Sequence, residues 1–155
     1  MPKSLQDEIK QTKPFTSLEV EAYLNIVRTE AALSQAVHGC FKQYGITQTI
    51  YNLMRIIRGG PDEGVPCSNI ADRLVARVPD VTRLVDRAVN LGLVIRTRPE
   101  NDRRVVLLSL TPKGQDLLDQ LAPPLDVLHR QQMGTLSEEE LRTVIDLMTR
   151  LRAVE

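Results

Sequence analysis

The sequence predicts a mostly α-helical protein carrying one small β-hairpin. Three observations predict it. Apolar residues recur at helical spacing through the first and last thirds of the chain. In the middle, two short helical segments, 68–75 and 79–90, are parted by a turn of a few residues. Directly after them come two runs rich in Val, Ile and Leu, 93–98 and 103–110, which flank the turn-forming Pro99-Glu100-Asn101-Asp102.

Each element has its own start or stop signal. Thr16 followed by Glu19 reads as a capping box, opening a long helix whose apolar stripe includes Leu18, Ala22, Ile26, Leu33 and Val37 and which ends before Gly45. Thr47 caps the next helix, Ile50, Leu53, Met54 and Ile57 form its buried face, and Gly59-Gly60 stops it. Ser68 is placed to cap the first short middle helix, with Ile70, Ala71, Leu74 and Val75 inward. Pro79 suits the first position of the second, whose inward face is Val81, Leu84, Val85, Ala88 and Val89. Thr111-Pro112 opens a helix through Leu117, Leu118 and Leu121, which Pro123-Pro124 is expected to interrupt or kink. Ser137 with Glu140 is a second capping box, starting a last helix with Leu141, Val144, Ile145, Leu147, Met148 and Leu151 inward.

The expected organisation is one compact domain in three parts: a flexible stretch 1–15, a reading unit 46–110 of helix-turn-helix plus hairpin, and a helical layer from 16–45 and 111–155. That layer carries more apolar surface than so small a unit covers, and two-fold pairing with a second copy is the economical way to bury it. The predicted fold class is thus a winged helix-turn-helix plus a helical dimerisation layer.

Composition narrows the function. The chain has 155 residues, 42% hydrophobic and 26% charged, a balance ordinary for a globular protein and enough for a real core. No apolar run approaches a membrane span and no hydrophobic leader opens the chain, so a cytoplasmic location and no membrane partner are expected. Twenty basic residues balance twenty acidic ones, which excludes a globally basic nucleic-acid binder. Locally the balance breaks: from Arg73 to Arg104 there are eight arginines against four acids. A basic patch on a neutral molecule binds a polyanion in one orientation. No nucleophile with a base, no glycine-rich phosphate loop and no metal-ligand spacing is present; His38 and His129 are isolated, so neither an enzyme nor a cofactor or metal site is expected.

The chain then resembles the MarR family of bacterial transcription regulators. The residues that carry this are Ile46-Thr47-Gln48, Ile70-Ala71-Asp72-Arg73-Leu74, Val81-Thr82-Arg83-Leu84-Val85-Asp86-Arg87, Leu91-Gly92-Leu93-Val94-Ile95-Arg96, Asp102-Arg103-Arg104 and Leu110-Thr111-Pro112-Lys113-Gly114. They run in register from about Ile46 to Leu118. The resemblance implies a homodimer, a pseudo-palindromic double-stranded operator and, often, release by a small lipophilic or phenolic effector. It also implies that Asp102 braces the hairpin while Arg103 or Arg104, with Arg104 preferred, enters the minor groove. One departure is Val78-Pro79-Asp80, where many relatives carry small polar residues, so the operator cannot be borrowed from them.

Candidate DNA contacts follow from position. Arg83 lies opposite the apolar stripe and is assigned to a base or phosphate; Thr82 beside it reaches a phosphate or a thymine methyl, or bonds its own backbone. Arg87, one turn on, meets the DNA backbone. Asp86 is expected to pair with an arginine of the hairpin or a neighbouring helix. Asp80 repels phosphate or accepts from a cytosine amino group, with Pro79 beside it at the groove. Arg96, Arg98, Arg103 and Arg104 crowd one turn, a like-charge arrangement that an anion relieves. Ser68 at a helix start is a phosphate candidate, and Arg77 is favoured over Arg55, Arg58 and Arg73 as a further contact. Two rival readings stand beside this: a winged-helix module that binds protein rather than DNA, and a redox-sensing regulator using Cys67 or Cys40. Tyr23, Tyr44 and Tyr51 are candidates to line an effector pocket or simply pack between helices.

Overall fold

A computed structural model describes residues 3–153. Met1 and Pro2 of the expected flexible stretch, and Val154 and Glu155 at the far end, lie outside the described residues. The chain divides into two compact units, Met1–Val37 and His38–Glu155, with the division inside the long second helix.

In the first unit, the stretch expected to be flexible includes a one-turn helix, α1 (Leu5–Glu8). Ser4 caps it by accepting the Asp7 N–H at 3.2 Å, Leu5 is buried, and Glu8 pairs with Arg28 at 3.2 Å. Helix α2 (Leu18–Lys42) opens one residue later than the Thr16 signal implied: Ser17 accepts the Val20 N–H at 3.3 Å. With Leu18 as the first helical residue, Ser17 is the one whose hydroxyl reaches the third helical amide. Hydrogen bonds from its own backbone N–H and from Ser17 hold the Glu19 carboxyl below the ordinary range.

The second unit holds the large core. Helix α3 (Gln48–Arg58) is capped by Thr47, whose hydroxyl accepts the Ile50 N–H at 3.3 Å. Its predicted face is buried, Ile50, Leu53 and Met54 completely, with Ile56 added. A three-stranded antiparallel sheet follows, in the order β1–β3–β2, from β1 (Val65–Pro66), β2 (Val94–Thr97) and β3 (Leu107–Leu110). Val94 faces Leu110 and Arg96 faces Leu108, while Val65 pairs with Leu108 from the other edge. The sequence showed the hairpin but not β1: a two-residue strand containing proline has no periodicity to detect, and only its pairing defines it.

Between β1 and the hairpin, the expected first middle helix is replaced by two three-residue 3-10 turns, Cys67–Asn69 and Ala71–Arg73. Ser68 therefore caps nothing; its hydroxyl lies 3.2 Å from Asn69 Oδ1. Val75, expected inward, is 87% exposed. Helix α4 (Val81–Asn90) starts later than Pro79 suggested, with Asp80 at the cap accepting the Arg83 N–H at 3.0 Å. The Asp80 carboxylate satisfies an orphan helix amide, which a proline ring cannot do, so the cap falls on Asp80 and Val81 is the first helical residue. Gly92, with φ +71°, closes α4: its N–H donates to Val89 O at 2.8 Å and that of Leu93 to Ala88 O at 3.0 Å. This double closure needs a left-handed residue, which glycine adopts without strain.

Helix α5 (Pro112–Met133) fastens that junction. The Thr111 hydroxyl accepts the Gly114 N–H at 3.0 Å and donates to Gly92 O at 2.6 Å, and Lys113 Nζ donates to Leu91 O at 2.8 Å. Gly114 packs so closely on the Leu93 carbonyl that a Cβ would overlap it. The motif Leu110-Thr111-Pro112-Lys113-Gly114 is thus a clamp on the end of α4. Contrary to expectation, Pro123 and Pro124 do not interrupt α5. Both are exposed, so water can bond the carbonyls they release, while buried Leu118, Leu121 and Leu125 hold the helix to the core. Helix α6 (Glu138–Arg152) has the predicted capping box, with Ser137 N–H to Glu140 Oε2 at 2.7 Å and Glu140 N–H to Ser137 Oγ at 3.2 Å. Its apolar face is not inward within one chain: Ile145 is 65% and Leu151 55% exposed. Among the described residues no helix is long and apolar enough to cross a membrane.

Candidate nucleic-acid interface

The reading surface is built on two elements that share one ion pair. Helix α4 buries Val85 and Ala88, which turns Thr82, Arg83 and Arg87 outward. The Arg83 side chain is 88% exposed, with Asp80 Oδ2 3.7 Å from its Nε. Asp80 thus uses one oxygen to cap the helix and the other to face the arginine. Asp86, on the same helix, reaches across to Arg96 of β2 at 2.6 Å, the pairing expected of it. Arg96, grouped above with the candidate DNA contacts, is engaged in this pair, which ties the hairpin to α4. Its side chain is only 33% exposed.

The tip of the hairpin is longer than the sequence indicated. The ladder ends at Thr97 and resumes at Leu107, leaving Arg98, Arg103 and Arg104 in the connecting loop, all exposed. Asp102 organises its far side, accepting the Arg104 N–H at 3.0 Å on its carboxylate and the Val105 N–H at 3.2 Å on its carbonyl. These local bonds compete with strand pairing, which is why the strand starts late. The loop is anchored to the 3-10 turns where Cys67 N–H donates to Val106 O at 2.9 Å.

Around α4 and the hairpin, Arg73, Arg77, Arg87, Arg98, Arg103 and Arg104 form no ion pair among the described residues, so six exposed guanidinium groups there are left without a counter-charge. Arg77 and Pro79 are exposed in the turn before α4, and Ser68 on the 3-10 turn. Arg58 is engaged elsewhere, with Asp119 at 2.6 Å, and Arg55 lies over the Tyr51 ring.

The remaining candidates separate clearly. Tyr51 packs on Phe41 with ring centroids 5.0 Å apart, whereas Tyr44 lines an open cleft of about 400 Å³ with Ile46, Leu91, Leu93, Lys113 and Leu117. Tyr23 is an exposed residue of the first unit. Cys40 and Cys67 are half-buried free thiols. No group of three potential metal ligands occurs among the described residues. Sequence reasoning missed Lys113 as the clamp on α4 and Asn52, whose Oδ1 accepts the Val75 N–H at 2.8 Å. Neither has a signal in sequence, because each partner is 22 or 23 residues away.

Helix α4 behind a turn, with the helix before that turn reduced to two 3-10 turns, a three-stranded sheet and an arginine-tipped hairpin braced to α4 define a winged helix-turn-helix protein of the DNA-reading class. No protein-family model matches the chain. It is 40% identical to a MarR transcription factor from Planctomyces limnophilus of solved structure, covering 88% of this chain and 98% of that one, with a TM-score of 0.67. It is 23% identical over 142 residues to the HTH-type transcriptional regulator FarR of Neisseria gonorrhoeae, covering 92% of this chain and 96% of that protein. The S. aureus MepR–DNA complex matches in fold at 21% identity, with 90% and 98% of the two chains covered and a TM-score of 0.76. The chain belongs to the MarR family of transcription factors.

Proposed function

We propose that this regulator binds double-stranded DNA as a homodimer and acts as a repressor in the cytoplasm. Arg83 and Thr82 of α4 read a major groove, with Arg87 and Arg77 on the backbone. Arg98, Arg103 and Arg104 lie along the flanking minor groove, with Arg104 inserted and Asp102 as the brace. The observation that carries this reading is the set of exposed, unpaired arginines on two elements that the Asp86–Arg96 pair holds in one geometry. Ser68, Pro79 and Asp80 border the same surface; Asp80 contributes chiefly as the cap that orients Arg83.

Residues 16–45 and 111–155 supply the dimer layer. In its support, Leu18, Tyr23 and Val27 on α2 and Ile145 and Leu151 on α6 expose apolar side chains that a second copy can bury. A two-fold dimer sets the reading helices about 34 Å apart, one turn of duplex, and makes the operator pseudo-palindromic. The cleft beside Tyr44 and Lys113 is the candidate site for a small lipophilic or phenolic effector. An anionic ligand there competes with Leu91 O for Lys113, loosening the clamp on the end of α4.

The test is selection of duplexes from a randomised library, then titration of the best one over a salt series with wild type and Arg104→Ala. Selective binding with a steep salt dependence, weakened by the substitution, supports the regulator. Weak, sequence-blind binding favours a protein-interaction module instead. Sedimentation of the same preparations reads the dimer directly.

A further inference from the structure

The turn 74–80 ahead of α4 is lightly held. Among the described residues, none of its N–H groups donates to a backbone carbonyl. Its two ends are secured, by buried Leu74 and by Asp80 at the helix cap. Between them one polar tie reaches in from another element: Val75 N–H donates to Asn52 Oδ1 at 2.8 Å. Asn52 stands on α3 next to completely buried Leu53 and one turn before buried Ile56, so its backbone is held by the core while its amide points at the turn. Arg77 follows two residues later, and Val75 itself is turned out to solvent.

We infer that Asn52 is a positioning residue for DNA recognition: by holding the Val75 amide it presents the turn bearing Val75 and Arg77 in one orientation beside the reading helix. The hydrogen bond is exposed and adds little to the fold as a whole. Its effect falls on how much ordering the turn must undergo on binding, which a selected site feels and loose electrostatic contact does not. This rests on the DNA-binding reading above.

The test uses Asn52→Ala, which a helix accepts readily, and Asn52→Asp, which keeps an acceptor. Two quantities are read in the full chain: exchange of the Val75 amide by NMR, and the ratio of affinities for the duplex selected by wild type and for a random duplex. The ratio is used because the added charge of Asn52→Asp weakens both affinities alike. The expected result is at least tenfold faster exchange and an at least tenfold smaller ratio in Asn52→Ala, with Asn52→Asp close to wild type on both. A ratio within twofold of wild type in Asn52→Ala, or a lost ratio with unchanged exchange, overturns the inference while leaving the DNA-binding reading intact. If wild type selects no duplex at all, that reading fails and the role of Asn52 in recognition fails with it.

Discussion

Arg83→Ala separates recognition from stability. The side chain is 88% exposed, so its removal opens no cavity, and its 3.7 Å contact with Asp80 is a surface pair. Such pairs contribute about 0.2–1 kcal/mol at most. The helix cap survives, because Asp80 accepts the backbone N–H of residue 83, which alanine retains. The expected change in Tm is therefore about 4 °C or less for a chain of this size. The DNA side is different. A bidentate arginine–guanine contact discriminates by about 1–3 kcal/mol, and a dimer loses two of them. Together that is a fall of about thirtyfold to ten-thousandfold in affinity for the selected duplex, at roughly 1.4 kcal/mol per factor of ten. Fluorescence anisotropy at several salt concentrations tells which contact is lost. A base contact leaves the salt slope unchanged and relaxes selectivity at one position of each half-site. A phosphate contact weakens all sequences alike and lowers the slope by about 0.9 per protomer. Affinity within twofold of wild type for selected and random duplexes, with an unchanged slope, refutes the assignment of α4 as the reading helix through Arg83.

Three further outcomes are expected. Asp80→Ala removes the α4 cap and costs about 1 kcal/mol, or about 2–4 °C in Tm by thermal circular dichroism; an unchanged melting curve argues against the cap. Gly114→Ala drives a Cβ into the Leu93 carbonyl, a backbone group with no rotamer to yield. A loss of about 1–3 kcal/mol is expected, read as a lower urea midpoint at constant m. The Glu140 carboxyl is held below its ordinary range by the Ser137 backbone N–H and then its hydroxyl. Its contribution is present above the ordinary Glu pKa and is lost as pH falls through the lowered folded-state value; Glu140→Gln should remove that part of the acid-induced loss of stability. Equal acid sensitivity in the two proteins would count against the capping box.

What the sequence determined by itself is what local chemistry encodes. Thr47, Thr111, and Ser137 with Glu140 cap the helices they were expected to cap, because a cap involves residues only three apart. The apolar periodicity of 50–57 marked the buried face of α3, and the charge of Asp86 foretold an arginine partner. Where the chain offers two local solutions, sequence order alone did not choose. Ser17 displaced Thr16, Asp80 displaced Pro79, and the loop bonds of Asp102 displaced the start of β3. The tertiary structure also decided everything that depends on distant partners. Strand β1 exists only through its pairing with β3, and α5 stays helical through two prolines because its buried leucines hold it. Arg96 is paired with a carboxylate ten residues earlier on another element, which braces the hairpin to α4. Asn52 and Lys113 bond to the chain on either side of α4, the turn before it and the close after it, across more than twenty residues. The physical reason is range: caps and periodicity act within a turn or two of chain, whereas the orientation of the reading surface is set by single hydrogen bonds and ion pairs that only folding brings within reach.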